Sequence, residues 1–307
     1  MAKKKILVIG SSNTDMIVSL DHLPKPGETI LGGEFHTSAG GKGANQAVGA
    51  ARAGGAVTFI ARLGKDSWGD DALAGFIKDR INVQHVIRDD SSPSGVALIF
   101  VSKTGENSIA VAGGANNRLS VSDIKKAAPA IAAADLIIMQ LETPLATVEA
   151  AVALAAKKGI PVILNPAPAQ PLPNRLLQHI SILTPNETEA ELLTGIQVTD
   201  LKAAARAAEL LLKRGVQTVI LTLGARGAWV ATKEIRQHVP GFKVKAVDAT
   251  AAGDTFNGAL AVALAEGKTL LQAVRFGNAA AALSVTKKGA QLSVPKRTEI
   301  DLFLQRS

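Results

Sequence analysis

The second half of the chain repeats one pattern: a short apolar run, a polar turn, and then an amphipathic stretch. The apolar runs that we interpret as buried strands lie at 136–140, 162–164, 180–183 and 218–222. Helices are predicted near them, at about 121–132, 145–158, 200–214 and 270–285. This alternation favours an α/β fold with a mostly parallel central sheet flanked by helices. Folds of this kind bind their ligands at the carboxyl ends of the strands.

The first third of the chain has a different rhythm. Its strand patterns lie in pairs around short turns, at 16–20 and 30–37 and again at 95–101 and 108–112. Hairpins of this kind favour a small antiparallel sheet that projects from the main body. We interpret it as a lid formed from about residues 13–37 and 94–113. The sequence thus predicts a single α/β domain over 1–307 with a small β-sheet lid.

Composition argues against several classes of protein. The chain has no cysteine, which excludes a disulfide framework and thiolate catalysis and suits the cytoplasm. Its net charge of +8 is scattered among only 3% aromatic residues, unlike the basic and aromatic patches of nucleic-acid binders. The apolar run after the basic start Met1–Lys5 is too short for a signal peptide, and no stretch is long enough to span a membrane. We therefore expect a cytoplasmic protein that binds neither nucleic acid nor membrane.

The stretch Ala246–Gly258 joins a tight turn to a helix start. A strand is predicted over 242–247, and apolar residues recur at helical spacing from Gly253 onward. The small residues between them leave backbone N–H groups free to converge on an anion, above all a phosphate. Asp254 would repel that phosphate unless its carboxylate takes a proton from an attacking hydroxyl. The simpler alternative is a helix-start acid that the helix dipole favours.

Other polar groups suit sugar and metal ligands. Asn13 and Asp15 point to the same side of an extended segment and suit vicinal sugar hydroxyls, although both residues also favour turns. The glycine-rich turn Ala39–Gln46 lets a ligand approach the backbone, but it matches neither a Walker A loop nor a dinucleotide fingerprint. Asn186 and Glu189 suit Mg²⁺ or its water shell, or else form a helix capping box.

Four motifs carry a resemblance to a known family. Gly40–Asn45 and Ala251–Gly258 resemble the two signatures of the ribokinase (phosphofructokinase-B-like) carbohydrate kinases. Asn186–Glu189 is similar to that family's magnesium and phosphate motif, and Thr222–Gly227 to its nucleotide loop. The motifs occur in the family's order, and the resemblance runs from Lys4 to the C-terminus. It implies a ribokinase-like fold whose lid, the β-clasp, also forms the contact of a homodimer.

The resemblance implies ATP-dependent phosphorylation of D-ribose at the 5-hydroxyl, which gives ribose 5-phosphate and ADP. Asp254 would be the general base, and the backbone of Ala251, Ala252 and Gly253 would form the anion hole. Besides Asp254, the residues implied to hold the sugar are Asn13, Thr14, Asp15, Gly41, Lys42, Gly43, Ala44, Asn45 and Glu142. Those implied to line the ATP site are Asn186, Thr222, Leu223, Gly224, Ala225, Arg226, Gly227, Gly253 and Asn278.

The resemblance also implies two ions. Mg²⁺ would be held through water near Asn186 and Glu189. An activating K⁺ would be bound mostly by backbone carbonyls, at Asp248, Thr250, Ser284, Lys287, Gly289 and Ser293. Lys287 can contribute only its carbonyl, because its ammonium group cannot bind a cation.

The sequence is also compatible with other substrates and with a role that is not catalytic. A kinase for 2-deoxyribose, another pentose or a nucleoside would keep the fold and the mechanism, although an aromatic-poor lid offers little to a nucleoside base. A non-catalytic sugar or nucleotide sensor would have less need of Asp254 and the glycines, which are present. A dinucleotide oxidoreductase is disfavoured, because the turn Gly10–Asn13 is not the required fingerprint.

Overall fold

The computed structural model of the protein describes residues 4–307, so the first three residues of the basic start lie outside the described part. Its strands are β1 (Lys5–Ile9), β2 (Asn13–Leu20), β3 (Glu34–Gly40), β4 (Ala56–Gly64), β5 (Asn82–Asp89), β6 (Gly95–Ser102), β7 (Asn107–Ala112), β8 (Leu136–Met139), β9 (Val162–Leu164), β10 (Ile182–Leu183), β11 (Thr218–Thr222), β12 (Ala228–Ala231) and β13 (Arg236–Val239). Its helices are α1 (Lys42–Arg52), α2 (Ser67–Lys78), α3 (Val121–Lys126), α4 (Ala128–Ala132), α5 (Leu145–Lys157), α6 (Asn174–Leu177), α7 (Glu187–Thr194), α8 (Leu201–Lys213), α9 (Ala252–Ala265), α10 (Leu270–Ser284), α11 (Ala290–Ser293) and α12 (Arg297–Arg306).

The central sheet has nine strands in the order β13-β12-β11-β10-β9-β8-β1-β4-β5. All neighbours from β11 to β5 pair in parallel, and β12 and β13 add an antiparallel edge. The predicted α/β fold with a mostly parallel sheet is therefore confirmed. Within residues 4–307, no helix combines the length and the apolar character needed to cross a bilayer.

The core lies on both faces of this sheet. In β1, Ile6 and Val8 join one apolar cluster with α1, α9 and α10, whereas Leu7 and Ile9 join a second cluster with α3, α5 and α8. Side chains alternate between the faces of a strand, so a strand that is covered on both faces must be apolar throughout. This is why β1 and β8 have no polar positions after Lys5.

The second sheet has four strands in the order β3-β2-β6-β7. The pairs β2–β3 and β6–β7 are antiparallel, as predicted, but β2 and β6 pair in parallel. The antiparallel prediction is wrong at that pair, because β2 and β6 are joined through α1 and α2 rather than by a tight turn. The first strand of this second sheet, β2, follows β1 directly, so Asn13 and Asp15 lie where the second sheet joins the central sheet.

The predicted strand over 242–247 is wrong. This segment has no strand partner, because Pro240 follows the edge strand β13 and supplies no backbone N–H for further pairing. Its alternation has another origin: Phe242 packs edge-on against Phe303, and Val244 and Ala246 line a cavity. Alternating burial of a loop over a helix thus imitates a strand.

Other boundaries also differ from the predictions. The helix predicted over 121–132 is divided at Ala127 into α3 and α4, because Pro129 begins a new first turn. The strand predicted over 30–37 starts only at Glu34, after Gly32 and Gly33. The strands β5, β12 and β13 were not predicted.

Candidate active site

The carboxyl ends of the parallel strands bring the candidate residues together. Gln140 and Glu142 follow β8, Asn165 follows β9, Asn186 follows β10, and Thr222 ends β11. These strands are parallel neighbours, so their ends lie along one edge of the sheet. The N-terminus of α9 faces the same edge, since its Asp254 shares a cavity with Asn165 and Asn186.

Asp254 lies in the first turn of α9 and is only 7% exposed. Its Oδ1 accepts a hydrogen bond from Nε2 of Gln46 at 2.9 Å, and its Oδ2 accepts one from Nδ2 of Asn45 at 3.0 Å. Burial raises the pKa of Asp254, while the positive charge of Lys42 and the two amide donors oppose that rise. A buried carboxylate with a raised pKa is suited to accept a proton near neutral pH.

The start of α9 is open on the side of a small cavity. Ala251 occupies the N-cap position with a left-handed φ of 58° and provides no side-chain cap. The cavity, of about 170 Å³, is lined by Ala251, Ala252, Gly253 and Asp254 among others. A methyl group added at Gly253 would meet no atom within 4 Å. The backbone nitrogen of Ala252 donates to the carbonyl of Ala249 at 3.2 Å, so the uncapped helix start offers mainly the N–H groups of Ala251 and Gly253 to an external anion.

The glycine-rich turn is held tightly against the end of β1. Gly41 has a φ of 87°, and a Cβ there would lie 2.6 Å from the backbone nitrogen of Asn13. A Cβ on Gly40 would lie 2.3 Å from both carboxylate oxygens of Asp15. Side chains are therefore excluded at both positions, which brings the backbone of this turn close to Asp15.

Glu142 ties this turn to the end of β8. Its Oε2 accepts hydrogen bonds from Oγ of Ser11 at 2.5 Å and from the backbone nitrogen of Lys42 at 2.9 Å. The prediction assigned Glu142 to the sugar, and the structure adds this second role in fixing the turn. Ser11 was not predicted as a site residue, because its partner lies 131 positions away.

Acidic groups cluster around one lysine at this site. Burial raises the pKa of Asp15 to about 7, with the charges of Glu142 and Asp254 adding to the shift and that of Lys42 opposing it. Burial alone would lower the pKa of Lys42, but the carboxylates of Asp254, Glu142, Glu189 and Asp15 outweigh it and raise that pKa. Lys42 therefore stays positively charged, and the nearby carboxylates all interact with that charge.

Asn13 and Asp15 are both buried on the same side of β2, as their spacing predicts. The Oδ1 of Asn13 accepts a hydrogen bond from Nδ2 of Asn116 at 2.7 Å. Asn116 also bonds both backbone polar groups of Ser12, which fixes the start of β2. Asn116 was not predicted, since nothing in its local sequence links it to a site 104 positions earlier.

Asn186 and Glu189 form the capping box that was the simpler alternative. The Asn186 side chain accepts from the backbone nitrogen of Glu189, and Oε2 of Glu189 accepts from the backbone nitrogen of Asn186. Both side chains also line the small cavity beside Asp254. Burial raises the pKa of Glu189. The pair thus combines a structural role with a position beside the candidate phosphate site.

A second cavity, of about 500 Å³, adjoins the first along Asn186, Thr222, Ala252 and Gly253. Its mostly apolar walls also include Gly224, Ala225, Gly227, Phe242, Phe256 and Asn278. Two predicted residues do not line it. Leu223 is buried in a separate apolar cluster, and the Arg226 guanidinium bonds the Thr199 carbonyl and Glu187.

The residues implied to hold K⁺ come from two segments that lie together. Oδ1 of Asp248 accepts from Thr250, and its Oδ2 accepts from the backbone nitrogen of Gly289 at 2.8 Å. The hydroxyls of Ser284 and Ser293 donate to carbonyls in their own helices. Lys287 bonds Glu299. In the described part of the chain, no group of three His, Cys, Asp or Glu residues is placed to hold a metal ion.

A model of the pfkB family of carbohydrate kinases matches residues 3–297, and the chain belongs to that family. It is 48% identical over 305 residues to a ribokinase of Haemophilus influenzae, and the aligned region covers 99% of this chain and 100% of that protein. It is also 39% identical over 300 residues to a deoxyribokinase of Salmonella typhi, with 97% and 98% covered. The structure of Arabidopsis thaliana ribokinase with ribose and ATP covers 100% of both chains at a TM-score of 0.89 and 35% identity.

Proposed function

We propose that this chain is a ribokinase, which transfers the γ-phosphoryl group of ATP to the 5-hydroxyl of D-ribose. The observation that carries this proposal is the buried carboxylate of Asp254 at the open start of α9, where two cavities adjoin. The similarity to ribokinases, one of them solved with ribose and ATP, supports the choice of substrates.

In the proposed reaction the proton of the 5-hydroxyl passes to Asp254. The hydroxyl oxygen then forms a bond to the γ-phosphorus, and the bond from that phosphorus to the bridging oxygen of ADP breaks. The backbone N–H groups at residues 251–253 would stabilise the charge on the transferring group. Lys42 adds a positive charge on the sugar side. Mg²⁺, bound through water near Asn186 and Glu189, would neutralise phosphate charge.

The sugar would occupy the space between the lid and the glycine-rich turn. Asp15 and Asn13 would accept and donate hydrogen bonds to vicinal hydroxyls, and the glycine-rich turn that packs against them would bring Lys42 to the same sugar. Oε1 of Glu142 would bind the sugar, since among residues 4–307 only its Oε2 accepts hydrogen bonds. The adenine and ribose of ATP would lie in the larger cavity, against Phe256 and Asn278.

A second candidate substrate is 2-deoxyribose, which the similarity to a deoxyribokinase favours. This sugar lacks one hydroxyl, so a site built for ribose would lose a hydrogen bond worth about 1–3 kcal/mol, or roughly 5- to 150-fold in kcat/KM. The test is ADP release from ATP and Mg²⁺ with ribose, deoxyribose, fructose, arabinose and adenosine. A preference for deoxyribose would change the proposed substrate but not the proposed mechanism. No turnover on any member of this panel would reject the kinase proposal.

We also propose that K⁺ activates the protein from the two segments around Asp248 and Gly289. The hydrogen bond between these residues joins the ion site to the turn that precedes Ala251. Repeating the same assay with K⁺ replaced by tetramethylammonium is expected to lower the rate. An unchanged rate would reject the ion site without touching the proposed chemistry.

The lid is proposed to contact a second copy of the chain. Several large apolar side chains are exposed on it, at Phe35 (63%), Leu98 (45%), Ile109 (55%) and Val111 (55%). Exposed apolar surface of this kind marks an interaction site, and sedimentation should show a dimer. We further propose a cytoplasmic location, with which the lack of cysteine is compatible.

Sugar affinity is predicted to increase with pH through about 7. The sugar hydroxyls donate to Asp15, so they bind its ionised form, whereas the free protein is mostly protonated there below its pKa of about 7. Between pH 6 and pH 8 the affinity for ribose should rise about tenfold. Calorimetric titration with ribose in the absence of ATP would measure this change.

Two variants identify the group responsible. Asp15→Asn should bind ribose weakly and with no pH dependence. Asp254→Asn should keep a pH dependence with its midpoint at lower pH, because the charge of Asp254 contributes to the raised pKa of Asp15. A pH-independent affinity in the unmodified protein would reject the assignment of Asp15 as the acceptor for the sugar hydroxyls.

A further inference from the structure

A row of buried amide side chains lies behind Asp254. Gln46, in α1, donates from Nε2 to Oδ1 of Asp254 at 2.9 Å and to Oδ1 of Asn165 at 3.1 Å. Its Oε1 accepts from Nε2 of Gln140 at 2.6 Å. Gln46 and Gln140 are almost completely buried. The proposed reaction uses neither of them, although Gln46 ends the glycine-rich turn Ala39–Gln46.

The orientation of these amides is fixed from one end. The carbonyl of Thr184 can only accept, so it must face Nδ2 of Asn165, which lies 3.2 Å away. Oδ1 of Asn165 therefore faces Gln46, which must present Nε2 to it and to Asp254. Turning Gln46 over would bring acceptors against acceptors and its own amino group against that of Gln140, which is costly in a buried network.

Asn45, on the other side of the carboxylate, is not fixed in this way. Its Nδ2 donates to Oδ2 of Asp254, while its own Oδ1 is buried and has no hydrogen-bond partner among the described residues. Asn45 can turn over and then accept a hydrogen bond from Oδ2. The two oxygens of Asp254 are therefore not equivalent, since Oδ1 always faces a donor and Oδ2 can face either a donor or an acceptor.

We propose that Gln46 is a positioning residue that keeps Oδ1 of Asp254 as a permanent acceptor and thereby selects Oδ2 as the oxygen that takes the proton. This inference rests on the proposed function, because the proton comes from the hydroxyl that is phosphorylated. The proton moves from that hydroxyl to Oδ2 of Asp254. Asn45 then turns so that its Oδ1 accepts a hydrogen bond from the protonated Oδ2, and the proton leaves to solvent after product release. The charged groups around Asp254 are Lys42, Glu142, Asp15 and Glu189.

A fixed donor on Oδ1 also stabilises the ionised form of Asp254 and so opposes the rise in pKa that burial causes. Gln46→Met keeps the volume and removes the donor. We expect kcat to fall about 10- to 100-fold, with the KM for ribose changed by less than about threefold. The acid limb of the pH profile of kcat at saturating ribose, where the bound sugar keeps Asp15 ionised, should move to higher pH by about one unit.

Gln140→Met is the matched control, since it makes the same change in the same buried cluster without touching Asp254. It leaves the Gln46 donor in place, so it should move the acid limb much less. If both variants move the limb equally, disturbed packing explains the effect and the inference is wrong. A Gln46→Met profile that coincides with that of the unmodified protein also rejects it.

A measurement independent of turnover keeps this test separate from the proposed function. The aspartate carboxyl carbons can be labelled with ¹³C and titrated by NMR, and the resonance lost in Asp254→Asn belongs to Asp254. Its pKa should be higher in Gln46→Met than in the unmodified protein, whether or not any sugar is phosphorylated. An inactive unmodified protein would reject the proposed function alone, whereas an unmoved Asp254 titration would reject the role of Gln46 alone.

Discussion

Asp254→Asn is expected to lower kcat by about 10²- to 10⁴-fold, the range that a general base contributes. The amide of asparagine has nearly the shape of the carboxylate but cannot accept the proton of the sugar hydroxyl. The cavity proposed for ATP lies on the other side of the α9 start and is not lined by Asp254. The affinity for ATP should therefore change little.

The substitution should not disturb the fold. The new side chain can place its oxygen against the fixed donor of Gln46 and its amino group against Asn45. Asn45 can turn over to accept, because its Oδ1 has no other partner in the described structure. Replacing a buried carboxylate whose pKa is raised also removes a cost of burying charge.

Three measurements check this result: ADP release with ribose, calorimetric binding of an ATP analogue, and thermal unfolding. Loss of turnover with intact nucleotide binding and an unfolding temperature at or above that of the unmodified protein is the expected set. Turnover within tenfold of the unmodified protein would overturn the role of Asp254 as the base. A collapse of stability would contradict the hydrogen-bond exchange with Asn45.

The order of strands and helices could be predicted because period and turn residues are local signals. The apolar runs of β8 to β11 and the helices α5 and α8 are within a few residues of their predicted positions. The errors have local causes as well. The loop at 242–247 alternates in burial without pairing, and β5 lies at the sheet edge, where its half-buried side chains give a weak pattern.

The candidate site was predictable only where a motif is contiguous. The glycine-rich turn and the α9 start can each be recognised from a motif of eight residues or fewer, and the structure places them side by side. Gln46 stands inside one motif, yet its importance depends on an oxygen 208 positions away. Ser11 and Asn116 likewise act through partners more than a hundred residues distant. Such contacts are set by the packing of α1, α9 and the strand ends, which no local pattern encodes.

Gly253→Ala is expected to change activity and stability in opposite directions. Gly253 lies in the first turn of α9 with an ordinary helical backbone, and an added methyl group would meet no protein atom within 4 Å. Alanine in a helix is more stable than glycine by about 0.5–1 kcal/mol, so the protein should unfold at a slightly higher temperature. The methyl group would stand over the backbone N–H groups where the transferring phosphoryl group is proposed to bind. Losing one such donor lowers kcat by about 10²- to 10³-fold in other enzymes.

Two further glycines separate these effects. Gly75→Ala, in α2, adds a methyl group that also meets nothing within 4 Å and lies outside the two cavities at the start of α9, so it should stabilise the protein and leave kcat unchanged. Gly258→Ala, one turn further along α9, would bring Cβ to 2.6 Å from the backbone nitrogen of Ala50 and should destabilise the packing of α9 on α1. If Gly253→Ala keeps full activity, the phosphoryl group does not approach this backbone, and the anion hole must lie elsewhere. If it behaves like Gly258→Ala, the helix start is not open space. Only a more stable and nearly inactive Gly253→Ala variant agrees with a phosphate site built from bare backbone.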